Sequence, residues 1–344
     1  MIQDTEQYLQ AIEEELRDIL EDEKESYAPL YDMMRYHMGW LDSDFRPQEA
    51  PGGKRLRPTL CLLACEAVGG HQWRSALAAA AGIELIHNFS LIHDDIEDHS
   101  DTRRHRTTVW RLWGLPQGVN TGDAMWVISR LALHRLSDRG YGADRVLRVI
   151  QRLDEACLEM CKGQYLDIRF ETVDSVSLRE YKRMIEGKTA ALLSASLAMG
   201  AVLGRAKEDT IASYDAFGRE LGMTFQIIDD LLGIWGDAQT TGKSTASDIL
   251  EKKKTLPVLY ALQWEEEHDR DELRRLYTSS ERLSEEDIPA VLQLLERADA
   301  RTYTREQALK HHRRALEHLE ATGIENRAQE TLRHITTTLI DRSF

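Results

Sequence analysis

Strand signals are almost missing from these 344 residues: no run alternates β-branched with polar side chains, and only seven prolines interrupt the chain. That excludes sandwiches, barrels and parallel sheets and leaves helices as the main element. Basic charge is also scarce, with 44 Lys and Arg against 59 Asp and Glu and a net charge of −15. Such a surface repels phosphate backbones, so nucleic acid is excluded as a partner, and an anionic substrate would need cations gathered locally. The four cysteines come as Cys61/Cys65 and Cys157/Cys161. Each spacing puts two thiols on one helix face, but they sit among Leu, Ala and Met rather than in the tight loops that hold zinc, and no secretory context supports disulfides. The start, MIQDTEQYLQAIEEELRDILEDEKE, is acidic and amphipathic and is no signal peptide. Thr189 to Gly204 is the longest uncharged stretch, about 16 residues against the ~20 that cross a bilayer. The expectation is a soluble, cytoplasmic protein without a membrane span.

What is abundant is helical periodicity. Leu9, Ile12, Leu16 and Ile19/Leu20 recur every three to four residues, as do Leu77, Ile83, Ile86 and Leu91, and Leu192, Leu197 and Val202. Ser75 to His93 is apolar almost all round, which in a soluble protein means a helix enclosed by others. The breaks are short: Pro51-Gly52-Gly53, Gly69-Gly70, Gly114 to Pro116, Gly140 to Gly142 and Gly236 to Gly242. None reads as a linker, and no repeat or low-complexity tract is present. A single all-α domain over residues 1–344 is expected, with 265–344 as outer helices.

Charge is concentrated in one place, LIHDDIEDHSDTRRHRTTVW, residues 91–110. On a helix Asp94 and Asp98 share a face one turn apart, with Asp95 about 100° round, so three carboxylates can meet in a small volume. Left alone they repel. A hard divalent cation resolves this, because Mg²⁺ takes one or two carboxylates, keeps waters and completes its shell with phosphate oxygens. A second pair, Asp229-Asp230 in FQIIDDLLGIWGD, ends another apolar helical stretch, with Gln226 one turn earlier. Burying unpaired carboxylates is costly, so two such pairs imply compensating cations and together suggest a metal site for a diphosphate.

Cations stand where that picture needs them. GGKRLRP brings Lys54, Arg55 and Arg57 round a glycine turn, Arg103-Arg104 follow the first acidic cluster, and Lys188, Lys243 and Lys252 to Lys254 come later. Arginine forks and lysine charges grip phosphate oxygens. His87 lies two helical turns before Asp94 and points to the same face. Asp101, Asp237 and Asp248 read as caps or as partners for neighbouring cations.

With these residues in place, the chain strongly resembles the trans-isoprenyl diphosphate synthases. DDxxD matches Asp94 to Asp98, the RRGxPT continuation matches Arg103 to Thr108 as RRHRTT, and GGKRxRP is intact as Gly52 to Pro58. The KT, FQ and second acidic motifs match Lys188-Thr189, Phe225-Gln226 and Asp229-Asp230, and DILEKKKTLP stands where the family has DLxxGKxTLP. The resemblance implies an all-helical isoprenoid synthase fold, a large bundle around a central cavity, assembled as a homodimer. It implies about three Mg²⁺ ions per active site, with Mn²⁺ an alternative. Asp94, Asp95, Asp98, Asp229 and Asp230 would hold the metal. Arg103, Lys188, Lys243 and Lys253 would hold an allylic diphosphate, while Lys54, Arg57, His87 and Arg104 would grip isopentenyl diphosphate without metal. Thr189 and Gln226 would offer oxygen dipoles to the allylic cation, and apolar helix walls would keep water from it.

The departures from the family pattern are specific. Gly233 stands where a third aspartate is common, His105 and Thr107 replace the Gly and Pro of RRGxPT, and Lys252 replaces the Gly before Lys253. Product length should follow from Phe89 and Ser90, just upstream of Asp94, since a bulky residue there would floor a substrate tunnel. That favours geranylgeranyl diphosphate, then farnesyl. A class I terpene cyclase would need a second motif of the N-D-x-x-S-x-x-x-E kind, which residues 229–237 lack. A non-catalytic synthase subunit would be expected to have lost its acidic motifs.

Overall fold

The computed structural model describes residues 5–21, 25–69, 72–236, 246–279 and 283–341. In chain order the helices are α1 Glu6–Ile19, α2 Ala28–His37, α3 Leu56–Ala67, α4 Leu77–Glu97, α5 Val109–Trp113, α6 Leu115–Asp138, α7 Ala143–Thr172, α8 Leu178–Ile185, α9 Ala191–Leu203 and α10 Glu208–Trp235. They are followed by α11 Ser247–Leu250, α12 Leu256–Glu267, α13 Glu272–Thr278, α14 Ile288–Arg297, α15 Ala300–Glu320 and α16 Arg327–Asp341. Among the described residues the only strands are β1 Thr102–Arg103 and β2 Arg106–Thr107, an antiparallel hairpin with Thr102 opposite Thr107. The expected all-α class is what the structure has.

The chain forms two compact units. The first comprises 1–155, 195–212 and 324–332, and the second 156–194, 213–323 and 333–344. In the first, α4 is the central element. Its opening Leu-Ala-Ala-Ala-Ala has the highest intrinsic helix propensity in the chain, and it is enclosed as its all-round apolarity requires: Ala78 to Ala81, Ile83, Leu85 and Ile86 are fully buried. Each large aliphatic side chain taken out of water there contributes about 1.5–3 kcal/mol. The stretch Trp73–Glu97 is long and apolar enough to cross a membrane, which the count of uncharged residues alone did not register, but 72% of its most apolar window is buried inside the protein. Cys61 and Cys65 lie buried on α3 as free thiols, and burial pushes Cys65 up to about 12, the behaviour of packing residues.

In the second unit, α8 starts at a capping box in which Ser177 and Glu180 satisfy each other's backbone N–H. The chain then makes a π-helical turn, Glu186–Ala190, before continuing as α9. One cluster of buried side chains gathers Tyr181, Ile185, Ile227 and Leu256. A second gathers Ile249, Val258, Leu273 and Val291.

Candidate active site

In the first unit the acidic motif occupies the C-terminal end of α4. Asp98 caps that end and is exposed, and Asp94 is partly exposed. Asp95 is only 2% exposed. Its Oδ1 accepts a 2.6 Å hydrogen bond from Arg103 Nε, and Asp94 Oδ2 lies 3.5 Å from Arg103 Nη2. Burial, together with repulsion from Asp94 and Asp98, pushes the Asp95 carboxyl up to about 6 despite Arg103. Among the described residues no three carboxylate, histidine or cysteine side chains form a ready metal cage. Asp95 is turned into a partner of Arg103 while it still feels the charges of Asp94 and Asp98. The donor set still fits Mg²⁺, which takes one or two carboxylates and fills its shell with water and phosphate oxygens.

Arg103 and Arg104 are delivered by the β1–β2 hairpin. Its two turn residues, Arg104 and His105, both have left-handed backbones, φ 52° and 62°, as a two-residue hairpin turn requires. His105 thus takes over a backbone conformation that glycine adopts without strain. Behind the hairpin Arg106 donates to the carbonyls of Tyr36 and Leu41 and sits over the Tyr36 ring, which fixes the turn to α2.

A group of cations surrounds this turn. Arg104 Nη1 donates to Gly52 O at 2.5 Å, and burial lowers its guanidinium to about 10. Arg57 Nη1 meets His87 Nε2 at 3.3 Å. Burial and then the charges of Arg57, Arg104, His37 and Arg103 hold the His87 imidazole well below its ordinary pKa, so it is neutral. Lys54 is exposed. Arg55, of the same motif, is turned inward instead: it pairs with the buried Glu84 at 2.8 Å and donates to Gly52 O at 2.6 Å. It builds the loop rather than offering a grip. Upstream on α4, Phe89 is buried and meets the His93 ring edge-on, and Ser90 Oγ donates to His87 O at 2.8 Å.

In the second unit, Lys188 and Thr189 lie on the π-helical turn, a feature that often marks functional positions. The turn approaches α7 so closely that a Cβ at Gly163 would lie 2.1 Å from Lys188 N. Lys188 Nζ is held by Asp167 at 2.5 Å. Thr189 Oγ1 donates to Gln226 Oε1 at 2.7 Å, and Gln226 Nε2 donates to Asp230 Oδ1 at 3.2 Å. Asp230, 4% exposed, also accepts from Tyr181 OH and from Leu256 N at 2.8 Å. Burial pushes its carboxyl up to about 7 while those three donors pull it down. Both Asp230 oxygens are thus engaged by protein. Asp229, beside it, is exposed.

A Cβ at Gly233 would lie 2.0 Å from Asp248 Oδ2, so the space of a side chain at 233 is filled by the Asp248 carboxylate. Lys253 Nζ is 2.9 Å from Glu251 and 4.0 Å from Asp248. Lys252, in place of the family's glycine, keeps a left-handed backbone at φ 51°. Lys254 donates to the carbonyls of Phe170 and Val173, a structural tether. Lys243 lies outside the described residues, as does Asp237. Sequence reasoning missed Tyr181, Asp167 and His37. Each stands outside any run of like residues, and only tertiary contact singles it out.

The polyprenyl synthetase family pattern matches residues 40–295. The chain belongs to this family. It is 37% identical over 316 residues to (2E,6E)-farnesyl diphosphate synthase of Mycobacterium tuberculosis, covering 90% of this chain and 85% of that one. It is 40% identical over 260 residues to geranylgeranyl diphosphate synthase of the same organism, 76% and 73% of the two chains. Among solved structures, a polyprenyl synthetase from Streptomyces coelicolor A3(2) superposes with a TM-score of 0.86 at 35% identity, over 98% of this chain and 97% of that one. The isoprenoid synthase fold implied by the motifs is therefore the fold of this family member.

Proposed function

We propose that the protein is a trans-prenyltransferase that joins isopentenyl diphosphate head-to-tail to an allylic diphosphate, and that its product is geranylgeranyl diphosphate. The observation that carries this reading lies within the first unit. An acidic helix end, with Asp98 exposed and Asp94 partly exposed, stands in the same unit as a group of cations, Arg57 and Arg104 among them, with the neutral His87 beside Arg57. One diphosphate arriving on metal and another arriving on bare cations need both.

Asp94, Asp98 and Asp229 would be the main metal ligands, with Asp95 contributing the oxygen that Arg103 leaves and Asp230 holding its neighbour in place. Mg²⁺ bound there supplies Lewis-acid neutralisation of the leaving diphosphate. Arg103, Lys188, Lys243 and Lys253 would share that charge as the allylic C–O bond breaks. The π electrons of isopentenyl diphosphate, held by Lys54, Arg57, His87 and Arg104, form the new C–C bond, and the released diphosphate accepts the proton lost from the adduct. Thr189 donates its hydrogen to Gln226, which leaves its oxygen lone pairs free to face the cation.

A farnesyl product is the second reading, favoured because the farnesyl synthase relative aligns over more of the chain. Phe89 lies five residues, about 7.5 Å along α4, before Asp94. Phe89→Ala should therefore lengthen the product, and an unchanged product distribution would reject this control. The deciding experiment incubates the protein with Mg²⁺, radiolabelled isopentenyl diphosphate and each allylic diphosphate in turn, then sizes the products. Elongation to geranylgeranyl supports the proposal. A cyclised hydrocarbon from the allylic substrate alone, or no turnover, would refute it.

A homodimer is part of this proposal. Leu115, Val119, Trp126, Val127 and Leu131 of α6 and Leu147 of α7 are all exposed, an apolar set of the kind a second copy covers. Leu131→Glu should shift the sedimentation coefficient to that of a monomer.

A further inference from the structure

Two guanidinium groups close on the Gly52-Gly53 turn. Arg55 Nη1 and Arg104 Nη1 both donate to Gly52 O, at 2.6 and 2.5 Å. The fit is tight enough that a Cβ at Gly52 would lie 2.7 Å from Arg55 Nη2, and one at Gly53 would lie 2.9 Å from Arg104 Nη2. A single carbonyl oxygen thus joins an arginine that faces inward to an arginine of the hairpin turn. Where Arg104 sits depends on that oxygen, and the oxygen is held by Arg55.

Arg55 is in turn set by a residue outside every motif. Glu84 of α4, 2% exposed, accepts from the same Arg55 Nη1 at 2.8 Å. Asn88, one turn further along α4, donates from Nδ2 to that carboxylate oxygen at 3.0 Å and to the Glu84 carbonyl at 2.8 Å, which fixes the carboxylate on its helix. A buried carboxylate needs such partners, and this pairing turns Arg55, left-handed at φ 48°, toward the core. Burial lowers the guanidiniums of Arg57 and Arg104, and Glu84 opposes that in both, so one carboxylate serves three arginines.

We propose that Glu84 is a positioning residue for the metal-free diphosphate: through Arg55 and the Gly52 carbonyl it fixes the Arg104 guanidinium that holds isopentenyl diphosphate. This rests on the reading of Arg104 as part of the grip on that substrate. Arg103 is held separately, by Asp95, so the metal-dependent diphosphate lies outside the path.

The test is equilibrium binding to the full-length protein by calorimetry, of isopentenyl diphosphate in EDTA and of an allylic diphosphate with Mg²⁺. Losing Glu84 alone strands a buried arginine, so the main variant is Glu84→Leu with Arg55→Met, which replaces the pair by apolar groups and preserves folding. Arg55→Met alone, in which Glu84 can neutralise itself by taking a proton, breaks the same path. Both should weaken isopentenyl diphosphate about tenfold, the size of one hydrogen bond to a charged group, and leave the allylic diphosphate unchanged. Arg104→Ala should weaken it at least as much, and adding the paired substitution to Arg104→Ala should cost nothing further, because the two act through one group. Wild-type affinity in the paired variant, equal weakening of both ligands, or a further tenfold loss on top of Arg104→Ala would overturn the proposal. If wild type does not bind isopentenyl diphosphate without metal, or Arg104→Ala binds it unchanged, the reading of Arg104 as a grip falls and this proposal with it.

Discussion

The two acidic motifs are built alike and anchored differently. Each pairs a more exposed aspartate with a buried one beside it: the partly exposed Asp94 with Asp95, and the exposed Asp229 with Asp230. Asp95 is held by a cation, Arg103, from a hairpin whose turn is left-handed at both central residues. Asp230 is held by neutral donors only, Tyr181 OH, Leu256 N and Gln226 Nε2. The first arrangement couples the acidic motif to a charged side chain that an incoming anion can also engage. The second is a neutral network, and it ties the acidic motif to Thr189 on the π-helical turn and to the first residue of α12. The difference teaches that one aspartate in each motif belongs to the protein's own hydrogen bonding; in the function proposed above, metal binding would then fall chiefly to its neighbour.

Substitutions separate these tasks. Asp94→Asn and Asp229→Asn should each lower kcat about 100–1,000-fold with little change in melting temperature, since they remove a charge aimed at the transition state. Steady-state assays beside thermal melts check this, and a large drop in melting temperature would break the division. Asp230→Ala should instead be destabilising by about 2–4 kcal/mol, because it strands two buried donors, Tyr181 OH and Leu256 N. Tyr181→Phe should cost about 1 kcal/mol. Chemical denaturation measures both.

pH sharpens the comparison further. The folded-state carboxyl of Asp230 sits at about 7, above its unfolded value, so the protonated form is the one that folding favours. Its contribution to stability is complete at about pH 4 and is lost as pH rises through about 7. The stability of the metal-free wild type relative to Asp230→Asn should therefore fall across that window, and denaturation midpoints for the two proteins at several pH values test it. The smallest effect belongs to the strained turns. His105→Gly and Lys252→Gly should each stabilise by about 0.5 kcal/mol, because relief of a left-handed backbone outweighs glycine's extra unfolded-state entropy.

Much of this was legible in the chain itself. Periodicity gives the helices, and the all-round apolarity of Ser75 to His93 gives the enclosed α4. DDIED, RRH, KT and FQIIDD give the residues that the two units display. What periodicity could not give was the division of labour inside each pair, because Asp94 and Asp95 are the same letter and only Arg103 tells them apart. Nor could spacing reveal that Arg55 faces Glu84 while Arg57 meets His87, since an αL backbone at Arg55 redirects the chain just before α3. The two missing glycines of the family pattern leave a backbone trace instead, as His105 and Lys252 keep the positive φ that glycine would have allowed.

The most direct test of the central claim is equilibrium binding of an allylic diphosphate, with and without Mg²⁺, to wild type, Asp229→Asn and Tyr181→Phe. The account expects tight binding that EDTA abolishes, a severe loss in Asp229→Asn and near-wild-type affinity in Tyr181→Phe. Binding that ignores the metal, or that survives in Asp229→Asn, would contradict it.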